Sequence, residues 1–93
     1  MLDKIKQLME MKQQAEKIKK ELEAVTVDVN EVRGIRIVIS GAQDFRSVSV
    51  DEGLLDPQNK QRFEADLLRS LNAAVKKSQQ AAAQKMASVM PGM

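Results

Sequence analysis

Three carboxylates, Asp51, Glu52 and Asp56, fall within one short stretch of the 93-residue chain. Acids at that spacing could serve general acid–base chemistry or hold a hard cation. Their position favours another use. Asp56 directly precedes Pro57, and an acid followed by proline is a helix-start signal, with the carboxylate accepting the first orphan N–H groups and complementing the helix dipole. The rest of the composition narrows the chemistry further. The chain has no Cys and no His, so it lacks a thiolate nucleophile, the commonest general base and the usual transition-metal ligands. Two Phe with no Trp or Tyr leave no aromatic platform for stacking bases. Gly34 and Gly41 bracket a strand rather than opening a helix, so there is no phosphate-binding loop of the nucleotide-binding type. The reading is of a chain that binds and does not catalyse, with no cofactor, metal or small-molecule substrate.

The other residues able to act are the cations. Fifteen Lys and Arg against thirteen Asp and Glu give only +2, but the balance varies along the chain. Residues 1 to 24 hold six basic and five acidic groups, residues 25 to 50 three of each, residues 51 to 66 two and five, and residues 67 to 93 four and none. In the first segment most lysines have an acid four residues away: Lys6 with Glu10, Lys12 and Lys20 with Glu16, Lys17 with Glu21, Lys19 with Glu23. Such spacing supports a solvated helix. After Asp66, Arg69, Lys76, Lys77 and Lys85 have no acid nearby in sequence, and Arg62, Arg69 and Lys76 recur every seven residues. On a helix that stripe lies opposite the Phe63, Leu67, Leu71 and Ala74 face, so the helix can dock its apolar side and turn its basic side outward, as phosphate binding requires.

Those cations must be carried by helices, and the punctuation supplies them. The Gly and Pro residues all lie between 34 and 57 or at 91 and 92, leaving two long uninterrupted segments. Leu8, Met11, Ala15, Ile18, Leu22 and Val25 repeat at three and four, predicting an amphipathic or coiled-coil helix over about 2–24 that is long enough for one end to project. The period then changes to two. Val25, Val27 and Val29, then Ile35, Ile37 and Ile39, alternate with more polar residues, and Arg46–Val50 forms a third, more polar strand. Turns at Glu31–Gly34 and Gly41–Asp44 make an antiparallel meander over about 25–50, with a second face that is polar apart from Val38 and Phe45. The second helix is expected over about 57–88, with Phe63, Leu67, Leu68, Leu71, Ala74 and Val75 on one arc. The fold class is α+β, an α-β-β-β-α domain over 1–93 with a three-stranded antiparallel sheet and two long helices. Ile35, Ile37, Ile39, Leu67 and Leu71 are its expected core. A chain this short buries a modest core, so a second copy is expected to complete it. No stretch approaches the length of a membrane span, and the charged start Met1–Lys6 lacks an export signal, which points to the cytoplasm and away from membranes.

The order of these motifs is itself informative. Leu8-Met9-Glu10-Met11-Lys12-Gln13-Gln14-Ala15-Glu16-Lys17 leading to Glu21-Leu22-Glu23, then Gly34, Val38 and Gly41 at intervals of four and three, then Val48-x-Val50-Asp51-x-x-Leu54-Leu55, resembles the YbaB/EbfC family of bacterial nucleoid-associated proteins. Asp66-Leu67-Leu68, Leu71-Asn72-Ala73-Ala74 and Lys85-Met86-Ala87-Ser88 extend the resemblance over nearly the whole chain. One glycine, Gly34, stands where many members carry Gly-x-Gly. The resemblance implies a tweezer-shaped homodimer, with helices protruding from a central sheet, that binds double-stranded DNA in the nucleoid.

Taken with the charge pattern, the expected function is DNA binding of low sequence specificity. Phosphates would be contacted by Lys4, Lys12, Lys19 and Lys20 of the first helix and by Arg62, Arg69, Lys76, Lys77 and Lys85 of the second. The rival is a prefoldin-like coiled-coil chaperone or protein-interaction module that grips clients with Met-rich helix ends, Met9, Met11, Met86 and Met90. A third reading is a hydrolase using Asp51, Glu52 and Asp56.

Overall fold

The computed structural model describes residues 2–89. The chain runs α1 (Leu2–Glu23), β1 (Thr26–Val32), β2 (Ile35–Ser40), β3 (Phe45–Val50), two short 3-10 turns (Glu52–Leu54 and Pro57–Asn59) and α2 (Lys60–Val89). The α-β-β-β-α order and the meander follow the sequence pattern, with strand order β1-β2-β3 and both pairings antiparallel. The second helix begins differently. Asp56 does accept from a backbone N–H, that of Gln58 at 3.0 Å, but Pro57–Asn59 closes as a 3-10 turn before α-helical winding begins at Lys60.

Val27, Val29, Ile35, Ile37 and Ile39 share one face of the sheet, where Val29 and the three isoleucines are fully buried. Two bulges keep the register hydrophobic. Between Val29 and Val32 the first strand carries one extra residue relative to β2, which returns Val32 to the core side opposite Ile35. A second bulge at Arg46 places Phe45 opposite Ile39. Cross-strand partners point to the same face, so Phe45 belongs to the core side and not, as alternation alone suggested, to the outer polar face. That outer face carries Asp28, Arg36, Val38, Ser47 and Ser49.

The β1–β2 turn is tighter than its sequence span. Only Arg33 and Gly34 lie between the strands. Gly34 sits at φ +92°, and a Cβ there would fall 2.8 Å from Leu54 Cδ1, so glycine is required both for the turn and for the approach of the following loop. At the β2–β3 turn the positive φ falls on Gln43. Gly41 is instead needed for space, because a Cβ would meet the Leu22 carbonyl oxygen at 2.9 Å.

Helix α2 packs chiefly on β1 and β2. Its line of closest approach is Ser70, Ala74 and Ser78, all fully buried, with Phe63, Leu67 and Leu71 half-buried alongside. Short side chains let the helix axis come down onto the isoleucines, which already fill the interlayer space. Both hydroxyls are satisfied: Ser70 Oγ donates to the Asp66 carbonyl at 2.8 Å, and Ser78 Oγ to the Ser40 carbonyl at 2.7 Å. Val29, Ile35, Ile37, Ile39 and Ala74 form the buried core, and Leu67 and Leu71 flank it.

The rest of the apolar surface is uncovered. Phe45 and Val48 on β3 are 47% and 49% exposed, and Leu68 on α2 is 61% exposed although it lies on the predicted apolar arc. Helix α1 contains no buried residue. Its carboxyl half meets the far half of α2 through Ala15, Ile18 and Leu22 near Ala82 and Met86. Its first half stands free, with Leu2, Ile5, Leu8, Met9 and Met11 exposed. The described residues accordingly extend 66 Å by 24 Å by 17 Å. Met90 lies outside the described residues.

Candidate nucleic-acid interface

The cations are positioned by the packing just described. Because Ser70, Ala74 and Ser78 face the sheet, Arg62, Arg69 and Lys76 turn away from it. Residues seven apart on an α-helix drift by about 20° and rise by about 10 Å per step, so the three make a nearly straight outward row about 21 Å long. Lys77 lies on the flank of the same surface and is exposed. Among the described residues no carboxylate lies within 4 Å of Arg69, Lys76 or Lys77, whereas Arg62 has Asp66 at 4.0 Å along the helix. The helix thus gains free positive charge from its entrance toward its far half.

Lys85 departs from the sequence reading. It has no acidic neighbour in sequence, but the helices run alongside each other and bring its ammonium to 3.3 Å from Glu21 of α1. The pair is part-buried and ties the two helices together. No local rule exposes it, since its members are 64 positions apart.

On α1, Lys4, Lys12, Lys19 and Lys20 are all exposed, and among the described residues none has a carboxylate within 4 Å. The acids four residues from Lys12, Lys19 and Lys20 therefore neighbour them without clasping them, which is ordinary for solvated side chains whose pairing barely offsets the entropy of fixing them. Arg46, the bulge residue, is spent structurally: Nη2 donates to the Glu23 carbonyl at 3.2 Å and satisfies the carboxyl end of α1.

A charge pair missed in the sequence crosses the outer sheet face. Arg36 Nε donates to both oxygens of Asp28, at 3.0 and 3.1 Å, and Nη2 donates to Oδ2. The hydrogen bond from Arg36 and its positive charge hold the Asp28 carboxyl below its ordinary value, with Asn30 adding a weaker hydrogen bond. Asp28 and Arg36 are cross-strand diagonal neighbours, a relation set only by the strand register.

The carboxylates Asp51, Glu52 and Asp56 do not form a cluster. Asp56 is engaged as a cap, and Asp51, Glu52 and Asp56 are all exposed. Among the described residues no three carboxylates gather as a metal-holding group. Nor is any helix of the described residues long and apolar enough to cross a membrane.

The chain is 30% identical over 78 residues to a nucleoid-associated protein of Syntrophobacter fumaroxidans, covering 83% of this chain and 71% of that one. It is 26% identical over 90 residues to a nucleoid-associated protein of Ruminiclostridium cellulolyticum, covering 96% of this chain and 78% of that one. The family model for YbaB/EbfC DNA-binding proteins matches residues 1–93 from end to end, and the chain belongs to that family.

Proposed function

We propose that the protein acts without catalysis in the nucleoid, as a homodimer that binds double-stranded DNA through phosphate contacts and with low sequence specificity. The observation that carries this reading is the outward row on α2, where Arg69, Lys76 and Lys77 are exposed and free of carboxylate partners. Arg62 and the α1 lysines Lys4, Lys12, Lys19 and Lys20 extend it. Lys85 contributes only when DNA displaces Glu21. Lysines projecting from helices neutralise phosphates but do not match base edges, so affinity should be strongly salt-dependent and nearly indifferent to sequence. Anisotropy of labelled duplexes of two unrelated sequences, at two salt concentrations, tests this. Undetectable binding at low salt, or a large preference for one sequence, would overturn it.

The homodimer reading is supported by the uncovered core side of β3. Phe45 and Val48 continue the Ile35, Ile37, Ile39 face beyond the reach of α2, and β3 presents an open strand edge. Exposed apolar strands at a free edge call for a partner. Covering this surface with a second copy would also give two basic rows to one particle and place the whole chain in one structural unit. Light scattering of the wild type and of Phe45→Ser/Val48→Asp distinguishes dimer from monomer.

A second reading has an observation of its own. The free half of α1 exposes Leu2, Ile5, Leu8, Met9 and Met11, and adaptable Met-rich helix tips suit client binding of the prefoldin-like kind. Suppression of client aggregation that is lost in Met9→Gln/Met11→Gln, with no detectable DNA binding, would favour it.

A further inference from the structure

The end of the sheet away from α1 carries a cleft that shares only Arg62 with the proposed phosphate contacts. Arg33 at the β1–β2 turn and Arg62 in the first turn of α2 line a common cleft of about 280 Å³, whose wall is Val32, Leu54 and Phe63. Leu54 and Phe63 also line the adjoining cleft, about 330 Å³, formed with Leu55 and Pro57. An apolar trough therefore runs directly from two guanidinium groups. The scaffold beneath is fixed: Asp51 N–H donates to the Gly34 carbonyl at 2.9 Å, Leu54 N–H to the Asp51 carbonyl at 3.0 Å, and Leu54 fills the space that a Cβ on Gly34 would take. Among the described residues no carboxylate lies within 4 Å of Arg33.

Charge and shape define the occupant. Asp66 lines the two-arginine cleft and pairs with Arg62 at 4.0 Å, Asp51 lines the adjoining hollow with both arginines, and Asp56 lies beside the apolar trough, so a continuous run of phosphates meets more negative charge here than along the outward α2 row. A single carboxylate attached to an apolar group suits it better: Arg33, together with Arg62 beside Asp66, donates to the carboxylate, and the trough takes the side chain. The clefts are open, whereas sites for free small molecules enclose most of their ligand. A tethered chain end does not need that enclosure, because further contacts along the peptide add to the affinity. From this juxtaposition we propose that the cleft between the β1–β2 turn and the start of α2 captures the carboxyl terminus of a partner polypeptide ending in a large aliphatic residue. Arg33 and Arg62 hold the carboxylate, the Asn59 side-chain amide at the rim is available to the peptide backbone, and Leu54, Leu55, Pro57 and Phe63 receive the last side chain.

The test is an amide-resolved NMR titration of the full chain with acetyl-Gly-Ser-Gly-Leu as free acid, as carboxamide, and with N-acetylleucine. The free acid should give saturable shifts confined to residues 32–35 and 52–66. Carboxamide and the Arg33→Gln variant should each weaken binding about tenfold or more, the loss expected for one charge-assisted hydrogen-bond pair. Leu55→Asp, at an exposed position, should abolish it while leaving the spectrum of the rest of the fold unchanged, and Arg33→Gln should bind DNA like the wild type. No saturable shift at millimolar peptide, or equal binding of acid and carboxamide, overturns the proposal. N-acetylleucine binding as tightly as the peptide overturns the polypeptide assignment.

Discussion

Replacing Lys76 by Gln removes one cation from the far end of the α2 row without touching the core, since the side chain is exposed and has no ion-pair partner among the described residues. In a homodimer the substitution removes two. Counterion release makes log K fall with log salt by about 0.9 per phosphate neutralised, so the slope should flatten by about 1.8. The same relation assigns each contact about a 15-fold gain at 50 mM salt relative to 1 M, so two lost contacts weaken binding roughly 200-fold at 50 mM. Lys85→Gln is the internal comparison. Its ammonium already neutralises Glu21 at 3.3 Å, and contact with a phosphate would require that pair to open. It should flatten the slope by less than half as much. Fluorescence anisotropy of a labelled duplex, titrated at several salt concentrations with both variants and the wild type, reads all three slopes. An unchanged slope in Lys76→Gln, or equal flattening in the two variants, would refute the assignment of the unpaired α2 row to phosphate contact.

Other expectations concern the scaffold. Gly34→Ala forces a side chain into the positive-φ turn and against Leu54 Cδ1, which should cost roughly 1–3 kcal/mol in urea unfolding; a loss under half of that would mean the turn relaxes. Ala74→Leu places a larger side chain at a fully buried point between α2 and the sheet and should destabilise by about 1–3 kcal/mol through overpacking, where the same change at the exposed Ala83 should be nearly neutral. For Phe45→Ser/Val48→Asp we expect a monomer by light scattering and, with half the cations per particle, a shallower salt dependence of DNA binding. Asp28 should titrate below the ordinary carboxylate range by carboxyl NMR, and Arg36→Gln should return it toward that range. Because its native value is the lowered one, the stabilising contribution of this pair is present above the unfolded-state value and is lost as pH falls through the native one.

Much of the architecture is legible in local pattern. The change of period from helical to two after Ala24, and the Gly and Pro confined to the middle and the far end, place the helices and strands to within a few residues, and Ile35, Ile37 and Ile39 declare the core by strict alternation. The outward basic row follows from the same periodicity, because a helix that buries Ala74 must turn Arg69 and Lys76 away. Alternation misplaced Phe45, since a bulge inserts one residue and reverses every side chain beyond it. The helical arc put Phe63, Leu67, Leu71 and Ala74 on the face toward the sheet, whereas the buried line is Ser70, Ala74 and Ser78, a matter of interlayer distance that hydrophobicity does not encode.

Charge shows the division most plainly. Sequence by itself determined that the chain holds no Cys and no His, that its only aromatic residues are two Phe, and that positive charge accumulates without acids after Asp66. Only the tertiary structure decided which of those charges remain free. Lys85 is drawn to Glu21, Arg36 to Asp28 and Arg46 to the end of α1, while Arg33 and Arg62 are brought to one cleft from positions 29 residues apart. The physical reason is range: helix and strand periodicity act over a few residues of chain, but electrostatic pairing acts over a few ångströms of space, and the fold alone converts one distance into the other.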